Sequence, residues 1–256
     1  MTAATAAANP TLITRSTPTM TLNDGDSRKA AWDSSYSNRD NFLFHPHEEV
    51  IRFVSKYIRK RIGLAQYLDI ATTAHQPARV LDLGCGIGRH VMYCHDMGLD
   101  AYGIDLSDTA ISVAHQWARE RDCAALVPRI VQGSVAALPW DDGFMTFAVS
   151  HGVLDSMPFE TAREACVELA RVLAPGGLFY CDLISGDDSH HSREFYGEEE
   201  VSSQHETGTI QLYFNVEFLR SLFQGLFEIV ECHLVRKENV FQGGHASRYH
   251  LVVRKP

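Results

Sequence analysis

Asp82 lies inside the stretch LDLGCGIGRH, just ahead of glycines at every second position, Gly84, Gly86 and Gly88. Asp105 closes the segment AYGID, and Ser150 and His151 close MTFAVSH. Each is a polar group at the carboxyl end of a short apolar run. Carboxylates accept paired hydrogen bonds, an imidazole exchanges a proton near neutral pH, and a glycine turn lets a ligand approach the backbone. Types and placement fit a site that grips a small polar ligand and handles a proton.

Such residues need a scaffold that brings strand ends together. Five short apolar runs, Arg79–Leu83, Ala101–Ile104, Arg129–Val131, Thr146–Ser150 and Leu178–Leu183, read as strands. Helical patterns separate them. One runs from Arg89 to Met97 and stops at Gly98. A second follows Ser107 as N-cap, with Ala110, Ile111, Ala114, Trp117 and Ala118 on one face. A third runs from Glu160 to Leu173, where Ala174-Pro175-Gly176-Gly177 is expected to stop it. Strand–helix alternation at this spacing predicts an α/β fold: a doubly wound, mostly parallel sheet covered on both faces. Two late strands, Leu226–Val235 and Arg248–Val253, follow a helix that begins after Asn215 and bring the total to seven.

The flanks are read more coarsely. Residues 1–27 are rich in Thr and Ala without apolar periodicity and are expected to form a disordered tail. His47 to Ile62 predicts one amphipathic helix, opened by Glu48 and Glu49 and closed by Lys56, Arg59, Lys60 and Arg61. Residues 186–214 are set apart as a substrate-loop insert, polar and irregular as far as residue 209. The remainder, 28–256, reads as one domain.

Composition narrows the partners. A net charge of -9 argues against a broad grip on nucleic acid or an anionic membrane. No apolar run approaches the length of a membrane span, and no signal peptide is expected. The six cysteines are scattered, without a C-x-x-C pair, as in a reduced cytoplasmic protein. The 13 histidines show no sustained metal-ligand spacing, so no metal is expected.

Two ligands compete for the glycine turn. A dinucleotide turn is G-x-G-x-x-G, whereas here the third glycine comes one residue early. Asp82 would also face a pyrophosphate, a like-charge contact costing on the order of a few kcal/mol. S-adenosylmethionine has no phosphate and carries an ammonium and a sulfonium, which a carboxylate attracts. The turn prefers the sulfonium cofactor.

VLDLGCGIGRH, AYGIDLS, VQGSVAALPWDDGFMTFAVSHGVL and ELARVLAPGGLFYCDL, in this order over roughly residues 78–184, resemble the signature motifs of class I S-adenosylmethionine-dependent methyltransferases of small-molecule type. The resemblance implies a Rossmann-like seven-stranded sheet with an antiparallel C-terminal edge and an N-terminal lid helix over residues 28–62. It implies cofactor contacts from Asp82, Gly84, Cys85, Gly86 and Gly88 to the methionine half, and from Asp105, beside Leu106, to the ribose. The family's adenine-binding acidic residue is replaced by Ser134, leaving Ser134 and the Val135 amide for that role. The family's F-D before the fourth strand is replaced by Met145-Thr146-Phe147, and Ser150 then faces the transferred methyl. Trp32 and Tyr36, one helical turn apart, are expected to fold over the cofactor, or to plug the sheet apolarly.

His151 is the first candidate for a general base, with a turn-capping role as its alternative. Asp155, His190, His191, Tyr196 and His205 are weaker candidates, and an oxygen-activating metal set of His190, His191 and Glu194 has no spacing to fix its geometry. The leading function is methyl transfer to O, N or S of a small molecule. A tRNA or protein methyltransferase and a non-catalytic cofactor-binding subunit are the alternatives.

Overall fold

The computed structural model describes residues 24–39, 41–201 and 209–256. The chain opens with α1 (Asp24–Ser37) and α2 (Glu48–Tyr57), then a small hairpin of β1 (Arg59–Arg61) and β2 (Tyr67–Asp69). The alternating core follows: β3 (Arg79–Leu83), α3 (Arg89–Asp96), β4 (Asp100–Asp105), α4 (Asp108–Glu120), β5 (Ile130–Gln132), β6 (Met145–Ser150), α5 (Phe159–Val172) and β7 (Leu173–Ile184). A second hairpin, β8 (Gly197–Glu200) and β9 (Ile210–Tyr213), precedes α6 (Val216–Phe223), β10 (Glu228–Glu238) and β11 (His245–Arg254).

The central sheet has seven strands in the order β10-β11-β7-β6-β3-β4-β5. From β5 to β7 all neighbours are parallel, and β11 runs antiparallel between β7 and β10. The expected architecture, antiparallel edge included, is the one observed. Chain order reverses between β3 and β6, the crevice where an open parallel sheet binds its ligand. Alternation along β3 divides the core. Leu81 and Leu83 join a cluster with α5 and α6, whereas Val80 joins one with α2, α3 and α4.

Several local expectations were altered by packing. The helix read over 47–62 ends at Tyr57. Ile58 is buried, and its carbonyl accepts the Ile70 and Ala71 amides, which turns the chain into the β1–β2 hairpin. Arg59 there bonds Asp69 and the Met97 and Gly98 carbonyls, so it belongs to the fold rather than to a helix end. The helix before A-P-G-G stops at Val172 as expected, but the stretch itself is part of a strand read only from Leu178. β7 starts at Leu173, and Gly176 and Gly177 exchange backbone bonds of 2.9 Å with Lys255. The stretch 186–214 contains the β8–β9 hairpin. The tail read to residue 27 is helical from Asp24 onward, and residues 1–23 lie outside the described residues.

Sequence periodicity does not announce α1, and partner contacts hold it instead. Asp33 accepts bonds from the Ser107 hydroxyl (2.5 Å) and the Thr109 amide (3.2 Å), while Lys29 pairs with Asp33 and Asp108. These bonds pin α1 across the N-terminus of α4, where an anionic group is favoured by the helix dipole. Trp32 and Tyr36 thereby hang over the sheet's switch point, with ring centroids 6.5 Å apart.

Candidate active site

The glycine turn between β3 and α3 has positive φ at Gly84, Gly86 and Gly88 (72°, 53° and 87°), which L side chains rarely adopt. It is tied to the next strand: the Gly84 and Cys85 amides share the Ile104 carbonyl at 2.9 Å, and the Gly86 amide donates to Asp105 Oδ2 at 2.8 Å. A Cβ on Gly86 would lie 2.5 Å from the Tyr36 hydroxyl, and one on Gly84 would lie 2.5 Å from Val153. Only glycine therefore lets Tyr36 of the lid and Val153 pack this closely on the turn, beside a passage between lid, turn and strand ends.

That passage is a cavity of about 590 Å³. One end is bounded by Gly84, Cys85, Gly86, Asp105, Leu106, Ser134 and Val135, with Trp32 and Tyr36 above. The other is bounded by Arg89, His151, Asp155, Gln211 and Arg248. Asp105 is nearly buried and also accepts the Ser107 amide at 2.9 Å. Burial pushes its carboxyl up to about 6, against the pull of those two amide bonds.

Three residues expected to bind cofactor are not among those that line the cavity. The pleat of β3 puts Asp82 on the Val80 face, beneath α3 and away from the cavity wall. Both its oxygens are buried without a hydrogen-bond partner, with His90 Nδ1 at 3.5 Å. His90 Nε2 accepts the His47 amide, so the neutral ring carries its proton on Nδ1, toward Asp82. Gly88 packs toward Ala114 of α4. Ser150 donates to the Leu83 carbonyl at 3.0 Å, joining β6 to β3.

His151 does line the cavity. Arg89 Nη2 lies 3.2 Å from its Nδ1, and a guanidinium can only donate. The neutral ring therefore has its proton on Nε2, which faces Asp182 Oδ2 at 3.5 Å. The His47 ring covers it with centroids 3.9 Å apart. Burial outweighs the nearby Asp182 charge and lowers His151 to about 3.

Asp182 is completely enclosed. It accepts the Gly152 amide at 2.8 Å and Arg248 Nε at 2.7 Å. Burial pushes its carboxyl up, but Arg248, His151 and Gly152 together hold it below the ordinary value. Arg248 also reaches Asp155 Oδ2, which takes the Ile184 amide at 2.9 Å, while Asp155 Oδ1 has no partner. Burial raises Asp155 against the pull of Arg248.

Sequence reading left Arg89 without a role and passed over Asp182, Arg248, His47 and Gln211. Asp182 had a signal, a lone carboxylate inside the apolar run FYCDLI. Arg248 had none, because its partners lie 66 and 93 residues away. Of the weaker candidates, His191 pairs with Asp188 and Glu199 and stacks on Phe195, and Tyr196 packs on Phe218. No metal-binding group of three occurs among the described residues. His205 lies outside them.

The site defines its class first: an α/β protein with its cavity at the switch point of a parallel sheet, where such folds bind their ligands. A family model described as "Methyltransferase domain" matches residues 81–181. A 2-heptyl-1-hydroxyquinolin-4(1H)-one methyltransferase of Mycobacteroides abscessus is 24% identical over 170 residues, 66% of this chain and 69% of that protein. A malonyl-[acyl-carrier protein] O-methyltransferase of Salmonella typhimurium is 30% identical over 142 residues, 50% of this chain, which spans only 53% of that protein. The crystal structure of a Burkholderia thailandensis 1,6-didemethyltoxoflavin-N1-methyltransferase, with its acceptor and S-adenosylhomocysteine, superposes with TM-score 0.60 at 16% identity, over 92% of both chains. At that identity the likeness establishes the fold. Residues 81–181 match a methyltransferase domain, and the fold is that of solved S-adenosylmethionine-dependent methyltransferases.

The cavity fits S-adenosylmethionine. Gly84 and Gly86 of the turn lie on its wall, and a buried carboxylate, Asp105, stands at the end of β4 where ribose hydroxyls would donate. Trp32 and Tyr36 offer aromatic faces to a cation.

Proposed function

We propose that the enzyme methylates O, N or S of a small molecule held at the His151 end of the cavity, with His151 as general base. The observation that carries this reading is the lining of the cavity: besides the residues that suit a nucleoside, it includes His151, Asp155, Gln211 and Arg248. Its volume falls within the range of small-molecule sites.

We further propose that Gly84 to Gly86 and Asp105 hold the cofactor's amino acid and ribose, with Ser134, Val135 and Leu106 around the adenine. S-adenosylmethionine supplies a sulfonium-bound methyl group for in-line displacement. The chain's part is to align the acceptor, exclude water with the α1 lid, and take a proton when the acceptor is O–H or N–H. The names of the relatives support a small acceptor, since a hydroxyquinolone and a toxoflavin precursor are small heteroaromatics. The chain's acidity supports it too. A cytoplasmic setting is supported by six cysteines free of disulfides, and no described helix is long and apolar enough to cross a membrane.

The test incubates the protein with methyl-labelled S-adenosylmethionine and an acceptor panel of hydroxylated and N–H heteroaromatics, thiols, tRNA and bulk protein. Label is expected in a small molecule; label in tRNA or protein overturns the reading. His151→Ala should slow that transfer by about 10²-fold or more while S-adenosylhomocysteine affinity stays near its original value.

A further inference from the structure

We propose that Arg89 takes the cofactor's carboxylate, and that by doing so it releases His151 Nδ1 for work on the acceptor. The inference rests on the reading of His151 as base.

Arg28, Lys29, Arg89 and Arg248 are cationic groups on the cavity wall, but their surroundings differ: Lys29 is answered by Asp33 and Asp108. Arg248 is answered by two carboxylates, Asp155 and Asp182. Among the described residues no carboxylate lies within ion-pair distance of Arg89, whose guanidinium spends a donor on a neutral imidazole. A planar guanidinium binds a carboxylate through two parallel bonds, which are stronger than one bond to a neutral nitrogen. Arg89 is also the first residue of α3, so its backbone adds the positive end of a helix dipole. A ligand carboxylate held beside the glycine turn would lie next to this cation, which directly follows Gly88.

The consequence falls on His151. With Arg89 donating to Nδ1, its only basic lone pair is occupied, and Nε2 is committed toward Asp182. The groups around it come from every packed element: Asp182 from β7, Arg248 from β11 with His250 beyond, His47 from the cap of α2, and Arg89 and His90 from α3. Only Arg89 combines a bond to Nδ1 with a place at the cavity wall and no competing carboxylate. Drawing its charge onto a ligand anion frees the lone pair and lifts the His151 pKa, because a neighbouring cation disfavours the imidazolium. The base is thus masked until the methyl donor is in place.

The test needs no acceptor, which separates it from the proposed function. Calorimetry compares S-adenosylhomocysteine with its decarboxylated analogue, which keeps nucleoside, sulfur and amine but lacks the carboxylate. The wild-type chain should prefer the first by about tenfold or more, and Arg89→Ala should bind the two alike. In ¹⁵N-histidine-labelled wild-type protein, S-adenosylhomocysteine should move the His151 Nδ1 resonance toward that of an unbonded imidazole nitrogen, and the analogue should leave it in place. The proposal is overturned if Arg89→Ala weakens both ligands equally or keeps the preference, or if both ligands move Nδ1 alike. Should Arg89→Ala fail to fold, the two wild-type resonance shifts decide alone. Failure of small-molecule methylation with a normal Nδ1 response would sink the acceptor reading and leave this one standing.

Discussion

The two ends of the cavity are built differently. The end suited to the nucleoside is mostly backbone: a glycine turn, two amides on one carbonyl, and a single carboxylate bonded to Gly86 and Ser107. The end proposed for the acceptor is a lattice of charged side chains, Arg89, His151, Asp182, Arg248 and Asp155, drawn from α3, the loop after β6, β7 and β11. Backbone geometry suits a ligand that never changes, because main-chain bonds do not vary with side-chain identity. A side-chain lattice can be rewritten one residue at a time, which suits an acceptor that differs among relatives. The two ends meet where Gly84 faces Val153 and where Arg89 touches His151.

The strongest way to break this contrast is to remove the centre of the lattice. Asp182→Ala leaves Arg248 short of a partner and frees the Gly152 amide, so stability should fall by about 3–5 kcal/mol, the usual cost of breaking a buried pair. Thermal denaturation measures it. A loss below about 1 kcal/mol would mean that the acceptor end is not held by its charges.

The nucleoside end should respond to pH through Asp105. Its folded value of about 6 lies above the ordinary carboxylate value, so the contribution to stability is present at low pH and is lost as pH rises through about 6. Ribose hydroxyls donate to the ionised form, and binding therefore requires release of the proton below that pH. S-adenosylhomocysteine affinity should be constant from pH 7 upward and fall by up to about tenfold per unit below pH 6. Calorimetry in two buffers of different ionisation enthalpy should detect proton release at pH 5; none at all would remove Asp105 from the contact.

The smallest effect is expected at Ser150, whose hydroxyl joins β6 to β3. Ser150→Ala should cost about 1 kcal/mol of stability and leave S-adenosylhomocysteine affinity unchanged. A clear drop in affinity would return Ser150 to the cofactor.

Asp82 and Asp105 show how much of the site was legible. Both are carboxylates at the ends of adjacent strands, and sequence reading gave both to the cofactor. Asp105 reaches the cavity and Asp82 turns beneath α3, because side chains alternate faces along a strand while the motif records only spacing. Arg248 and Arg89 were illegible for another reason. The first meets its carboxylates only when β11 inserts beside β7, and the second acquires meaning only when β6 carries His151 to it. The end of α2 went the same way: periodicity continued past Tyr57, and the pairing of Ile58 with β2's exit overrode it.

What the sequence determined by itself is local. Apolar runs and the helices between them set the order of strands, and glycines at alternate positions set a turn that L side chains cannot follow. A polar residue closing each run marked the ligand-binding edge. These depend on neighbours within a few residues, so spacing encodes them. The tertiary structure alone decided which polar groups face the cavity, how α1 closes over it, and which charges answer one another across it. Those outcomes depend on strand order, pleat and burial, which join residues far apart in the chain and fix in one place a lattice that no single segment contains.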